Sequence, residues 1–132
     1  MGAVKVNGYT IGPFANLARE NLYGANLSKA NLRGAKLAGT ILTRANLHGA
    51  DLRGALLSRA KLGRAILYEA NLSRASLREA NLSKANLRSA NLTAADLYGA
   101  DLTEANLIRA TADESTRWPE GFDPVAAGVI FE

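Results

Sequence analysis

Residues 80–102 read ANLSKANLRSANLTAADLYGADL, a five-residue phrase A-(N/D)-L-x-x that repeats without a break. Working outward from it, Leu holds every fifth position from Leu17 to Leu107, nineteen in succession. Ala stands two residues before the Leu in seventeen of the nineteen repeats, with Glu20 and Thr40 as the exceptions. Asn or Asp stands immediately before it in thirteen, the others being Lys36, Ile41, Leu56, Lys61, Ile66 and Ser76. A repeat this short and this regular governs every later inference.

The period excludes the two ordinary elements. In an α-helix a five-residue step turns about 500°, a net of about 140°, which would scatter the leucines around every side. In a flat strand an odd period would send successive leucines to opposite faces. The pattern becomes coherent if the chain turns one corner per repeat, so that each Leu and the Ala before it face a common axis. That is a β-solenoid, with coils stacked about 4.8 Å apart. Gly24, Gly34, Gly39, Gly49, Gly54 and Gly99 all fall two residues after a Leu, at the expected corner, where positive φ is needed. The Asn/Asp position faces outward, where such side chains bond neighbouring backbone groups.

The stretches ANLSKANLRGAKL (25–37), ANLHGADLRGALL (45–57) and the 80–102 segment resemble the pentapeptide repeat family over about residues 15–109. The resemblance implies an all-β fold, a right-handed quadrilateral β-helix with four pentapeptides per coil. Nineteen repeats would then make about 4.75 coils and a rod about 23 Å long. On this reading 15–109 form the solenoid, 1–14 an N-terminal capping segment and 110–132 a C-terminal cap or tail. Val4, Val6, Tyr9, Ile11 and Phe14 suggest an opening strand or half-coil. Asp123-Pro124 reads as a helix N-cap and first helical residue, predicting a short helical cap over 125–130. The segment around Trp118, Pro119, Gly121, Phe122 and Pro124 resembles the tails of cyanobacterial members of the family. Trp118 and Phe122 are therefore candidates for a plug under the core, for a dimer or partner interface, or for both.

Composition narrows the chemistry. The 132 residues include no Cys and one His, His48, which leaves no thiolate, disulfide or histidine cluster. No set of nucleophile, base and orienting group is present, so neither catalysis nor a cofactor is expected. Asp96, Asp101 and Glu104 could form a weak cation site, though their spacing is equally that of a solvated repeat face. No run approaches the roughly 18–20 apolar residues of a membrane span, and a cytoplasmic location is expected.

Charge is the more informative surface signal. The net charge is +4, but residues 29–88 carry twelve Lys/Arg against three acids, a net of +9. Residues 96–132 carry two Arg against eight acids, a net of −6. With twenty residues per coil, Arg44, Arg64 and Lys84 share one column, preceded by Gly24 and followed by Glu104. The wall carrying that column is the candidate partner-binding surface, with the acidic C-terminal end as the alternative. Some members of the family act on DNA gyrase by imitating duplex DNA. A mimic about 23 Å long would need about fourteen negative charges, which this basic body opposes. Direct nucleic-acid binding is the alternative, with the acidic end and the lack of an aromatic stacking platform against it. The expectation is a non-enzymatic, rigid module for protein interaction or structure. Its protein partner is unidentified, and it would be a monomer or an end-to-end dimer.

Overall fold

The computed structural model describes residues 4–132. From Asn16 onward the chain winds as a β-helix whose coils meet through single parallel residue pairs. Asn16 pairs with Lys36, Asn21 with Ile41, Asn26 with Asn46 and Asn31 with Asp51, and the step of twenty holds through Asn91 with Thr111. With one corner every five residues, twenty residues close four walls. Wall 1 holds Leu17, Leu37, Leu57, Leu77 and Leu97, and wall 2 holds Leu22, Leu42, Leu62, Leu82 and Leu102. Wall 3 holds Leu27, Leu47, Leu67, Leu87 and Leu107, and wall 4 holds Leu32, Leu52, Leu72 and Leu92. All nineteen leucines are buried, and with the Ala column they make one continuous core. Each fully buried Leu contributes about 2 kcal/mol relative to exposure. Thr40, one of the two departures from Ala, is buried too, and its hydroxyl donates to the Leu17 carbonyl at 2.7 Å.

Backbone bonding explains why five residues suffice. Around Leu62, the Lys61 N–H donates back to Thr40 O (2.9 Å). The Leu62 and Arg64 N–H groups donate forward to Asn81 O (2.7 Å) and Ser83 O (2.9 Å). The Ala65 N–H closes the corner on Leu62 O at 3.0 Å. The N–H of the residue after each Leu has no backbone acceptor. The Asn or Asp before the Leu meets it, and all thirteen such side chains accept this bond through Oδ1 at 2.9–3.3 Å. Outward Asx residues thus complete the hydrogen bonding of thirteen of the nineteen corners.

The second residue after every Leu has positive φ. Six of these nineteen are the glycines anticipated above. The other thirteen carry side chains, among them Arg44 (60°), Arg64 (58°) and Lys84 (59°). The corner bond and the bonds to adjoining coils hold them there against a local preference of about 1 kcal/mol.

Both ends depart from expectation. At the N-terminus, β1 (Val4–Val6) and β2 (Tyr9–Ile11) pair antiparallel as a hairpin, not as a simple strand or half-coil. Asn7 and Gly8, both at positive φ, form its two-residue turn. Ile11 is buried, and Val6 and Tyr9 pack against the core. At the C-terminus the step of twenty becomes twenty-one, because Asp96 pairs with Arg117. One residue has been inserted after β3 (Thr111–Ala112), where Ala112 is buried in place of a Leu. Thr116 then takes the small-residue position, its hydroxyl donating to Leu92 O (2.8 Å) as Thr40 does to Leu17 O.

No helix forms over 125–130. Asp123 does cap a turn, its Oδ1 accepting from the Ala126 N–H at 3.1 Å. The turn ends at Gly128, whose φ is 87°, and the chain leaves it as β4 (Ile130–Phe131), parallel to Thr111–Ala112. A single turn is too short to sustain a helix, and pairing with the last coil captures the residues that would have extended it.

Candidate functional site

The corner between walls 2 and 3 carries Arg44, Arg64 and Lys84 in one column, followed by Glu104. A cross-coil spacing of about 4.8 Å stacks these residues in successive coils, where like charges repel weakly in water and are partly screened by salt. A groove of about 510 Å³ runs along wall 2 beside them, and all three line it. Its opposite rim is Arg59 and Glu79, and Lys61 stands on the wall between the rims. Thr43, Gly63 and Ser83, the residues just before the three cations, form a floor of small side chains.

Five cations therefore face one groove against Glu79. Arg59 and Glu79 approach at 3.4 Å and Lys84 and Glu104 at 3.8 Å, both exposed pairs that hold their charges weakly. Arg44, Lys61 and Arg64 form no ion pair among the described residues. Such a surface can hold carboxylates or phosphates, with the guanidinium forks able to bind them in bidentate fashion.

The departures from Asn/Asp are not spread evenly. Lys36, Leu56 and Ser76 lie on wall 1, Ile41 and Lys61 on wall 2, and only Ile66 elsewhere. On wall 2 the consequence falls inside the groove. Neither the Thr43 nor the Gly63 N–H donates to a protein acceptor among the described residues, whereas the Ser83 N–H is met by Asn81 Oδ1 at 2.9 Å. The exceptions and the column are visible in the sequence, whereas the fold is what brings Arg59 and Lys61 to the same groove as the two freed amides.

The remaining candidates are dispersed. His48 lies on another corner, its Nε2 3.3 Å from Glu69 and its ring 5.2 Å from Tyr68. Asp96 is bound to Arg78 at 2.9 Å, beside Tyr98, whose ring is contacted by the guanidiniums of both Arg78 (4.8 Å) and Arg117 (4.4 Å). Burial raises the Asp96 carboxyl, but the Tyr98 N–H and Arg78 outweigh it and hold it below the usual carboxylate range. Asp101 is on wall 2 and Glu104 on the adjoining corner, so the three acids are not brought together. Trp118 follows Arg117 into the position a wall 1 Leu would occupy. It stacks on Phe122 with ring centroids 5.3 Å apart, and both pack against the core.

The regular coil is matched by known proteins. A family model described as pentapeptide repeats (8 copies) matches residues 21–59, 55–93 and 85–115. The pentapeptide repeat protein Rfr23 of the cyanobacterium Cyanothece 51142 is 35% identical, with 79% of this chain and 84% of that one covered at a TM-score of 0.77. A pentapeptide repeat protein of the Arabidopsis thaliana thylakoid lumen is 34% identical, covering 67% of this chain and 63% of that one at a TM-score of 0.57. QnrB1, a plasmid-mediated fluoroquinolone resistance protein, shares the fold at 19% identity, with 89% and 67% covered and a TM-score of 0.52. No curated protein sequence matches. On the family model and the 35% identity over most of both chains, the protein belongs to the pentapeptide repeat family.

Proposed function

We propose that the protein is a non-enzymatic interaction module that presents wall 2 to an anionic region of a protein partner. The observation that carries this reading is the groove bounded by Arg44, Arg59, Lys61, Arg64 and Lys84 with Glu79 as its one acid. A solenoid favours such a role, because its stacked coils hold side chains in a fixed ladder and little ordering remains to be done on binding. Trp118 and Phe122 serve as the plug of the lower core end, leaving wall 2 as the contact face.

The test is capture from native lysate at physiological salt, with and without nuclease. The wild-type chain is compared with an Arg44→Glu, Arg64→Glu, Lys84→Glu triple variant. A protein retained by the wild type in both samples and lost by the variant supports the reading. Retention that disappears on nuclease treatment replaces it with nucleic-acid binding. Equal retention by the variant moves the contact away from wall 2.

A further inference from the structure

We propose that the groove on wall 2 takes a short, extended, acidic peptide segment whose carboxylates accept the free N–H groups of Thr43 and Gly63. The inference rests on the wall 2 reading and specifies the partner's chemistry. In thirteen repeats an Asn or Asp oxygen occupies the site in front of this N–H. In two successive coils of wall 2, Ile41 and Lys61 stand there and supply no oxygen. A carboxylate placed at either site restores the missing bond and meets Arg44, Lys61 or Arg64 at the same time. Hydrogen bonds to a charged acceptor are the stronger kind.

Length and spacing select a peptide. Residues two apart on an extended chain place their side chains on one face about 6.7 Å apart. Flexible Glu or Asp side chains can match that to a coil step of about 4.8 Å. The basic tract spans three coils and then meets Asp101 and Glu104. It therefore suits three or four residues, followed by a neutral or basic one. A nucleic-acid backbone would carry its charge on into those acids, and Ile41, Lys61 and Asn81 offer its bases no aromatic surface.

The probe is a fluorescein-labelled hexapeptide of alternating Glu and Gly, titrated by anisotropy at low salt. A thymidine 20-mer is the competing probe. Ile41→Asn restores an oxygen in front of the Thr43 N–H without changing charge, and Ile41→Leu is its control. Ile41→Asn should weaken the peptide about tenfold and Ile41→Leu should leave it unchanged. The Thr43 and Gly63 amide resonances of the wild type should shift on titration. Equal binding by Ile41→Asn and unmoved amides would overturn the inference, as would no binding of the peptide at all. If the triple charge reversal still abolished binding, wall 2 would survive as the contact face without amide capture. If the reversal left binding intact, the wall 2 reading itself would fail. Tighter binding of the 20-mer than of the peptide would overturn the choice of partner. Circular dichroism melts keep these outcomes separate from misfolding.

Discussion

Wall 4 and wall 2 enclose the same core and differ in the ladder of side chains they turn outward. Wall 4 carries Asn31, Asp51, Asn71 and Asn91 in register, each accepting the N–H two residues on. Of its three cations, Arg53 is neutralised within its own repeat by Asp51, at 2.7 and 2.9 Å, while Arg33 and Arg74 form no ion pair among the described residues. Wall 2 carries Asn21, Ile41, Lys61, Asn81 and Asp101, and its central cations stand without acids beside two free amides. Behind both, Leu52 and Leu62 are equally inaccessible. The inward residues therefore maintain the coil, and the outward Asx bond can be given up in a few repeats without loss of fold. Where it is given up, backbone donors become available to something else.

The largest test of the common core is to charge it. Leu62→Asp and Leu52→Asp each bury a carboxylate with no partner, and both should unfold the protein, removing its β-type circular dichroism. A folded Leu62→Asp beside an unfolded Leu52→Asp would show that the two walls are not equivalent inside.

A second test separates the corners from the groove floor. Gly54 has φ 65° with open space around it, so Gly54→Ala should cost about 1 kcal/mol from backbone strain alone. Gly63 is outside the left-handed region, and an added Cβ would meet nothing nearer than Ser83 Oγ at 3.7 Å. Gly63→Ala should melt like the wild type. Equal losses in the two urea titrations would contradict the corner argument.

The Asx bond itself is tested by moving it. Asn71→Ala removes the acceptor of the Ser73 N–H on wall 4 and should cost about 1 kcal/mol. Ile41→Asn adds the equivalent acceptor on wall 2 and should stabilise by up to about 1 kcal/mol. Opposite shifts in urea midpoint would confirm that the walls differ by this bond. Shifts of the same sign would break the comparison.

Acid provides the smallest effect. Hydrogen bonds and charge from Arg53 hold the Asp51 carboxyl below its ordinary value. A depressed folded-state pKa means stabilisation that is complete above the unfolded value of about 3.9 and lost as pH falls toward the folded one. The melting temperature should be level from about pH 7 to 5 and decline below about 4. Asp51→Asn, which keeps the Asx oxygen, should lessen that decline, and an unchanged slope would remove Asp51 from the account.

Much of this was legible in the residues. Leu at every fifth position, Ala before it and Gly at some corners pointed to an inward core with outward Asx, and the column of Arg44, Arg64 and Lys84 followed from twenty residues per coil. The hairpin was signalled by Asn7-Gly8 between apolar pairs, a strong local cue that the dominant repeat obscured. The helix expected over 125–130 rested on a genuine cap at Asp123, but the pairing of Ile130–Phe131 with Thr111–Ala112 is a contact across eighteen residues that no local rule contains.

By itself, the sequence determined the period, the direction in which each repeat position faces and the polarity of charge along the axis. All three are properties of one repeat multiplied. Tertiary structure alone decided which cations bordered one groove and how a one-residue insertion carried Thr116 and Trp118 back into register. Those depend on what lies in the coil above and the coil below, and adjacency between coils exists only once the chain has closed its walls.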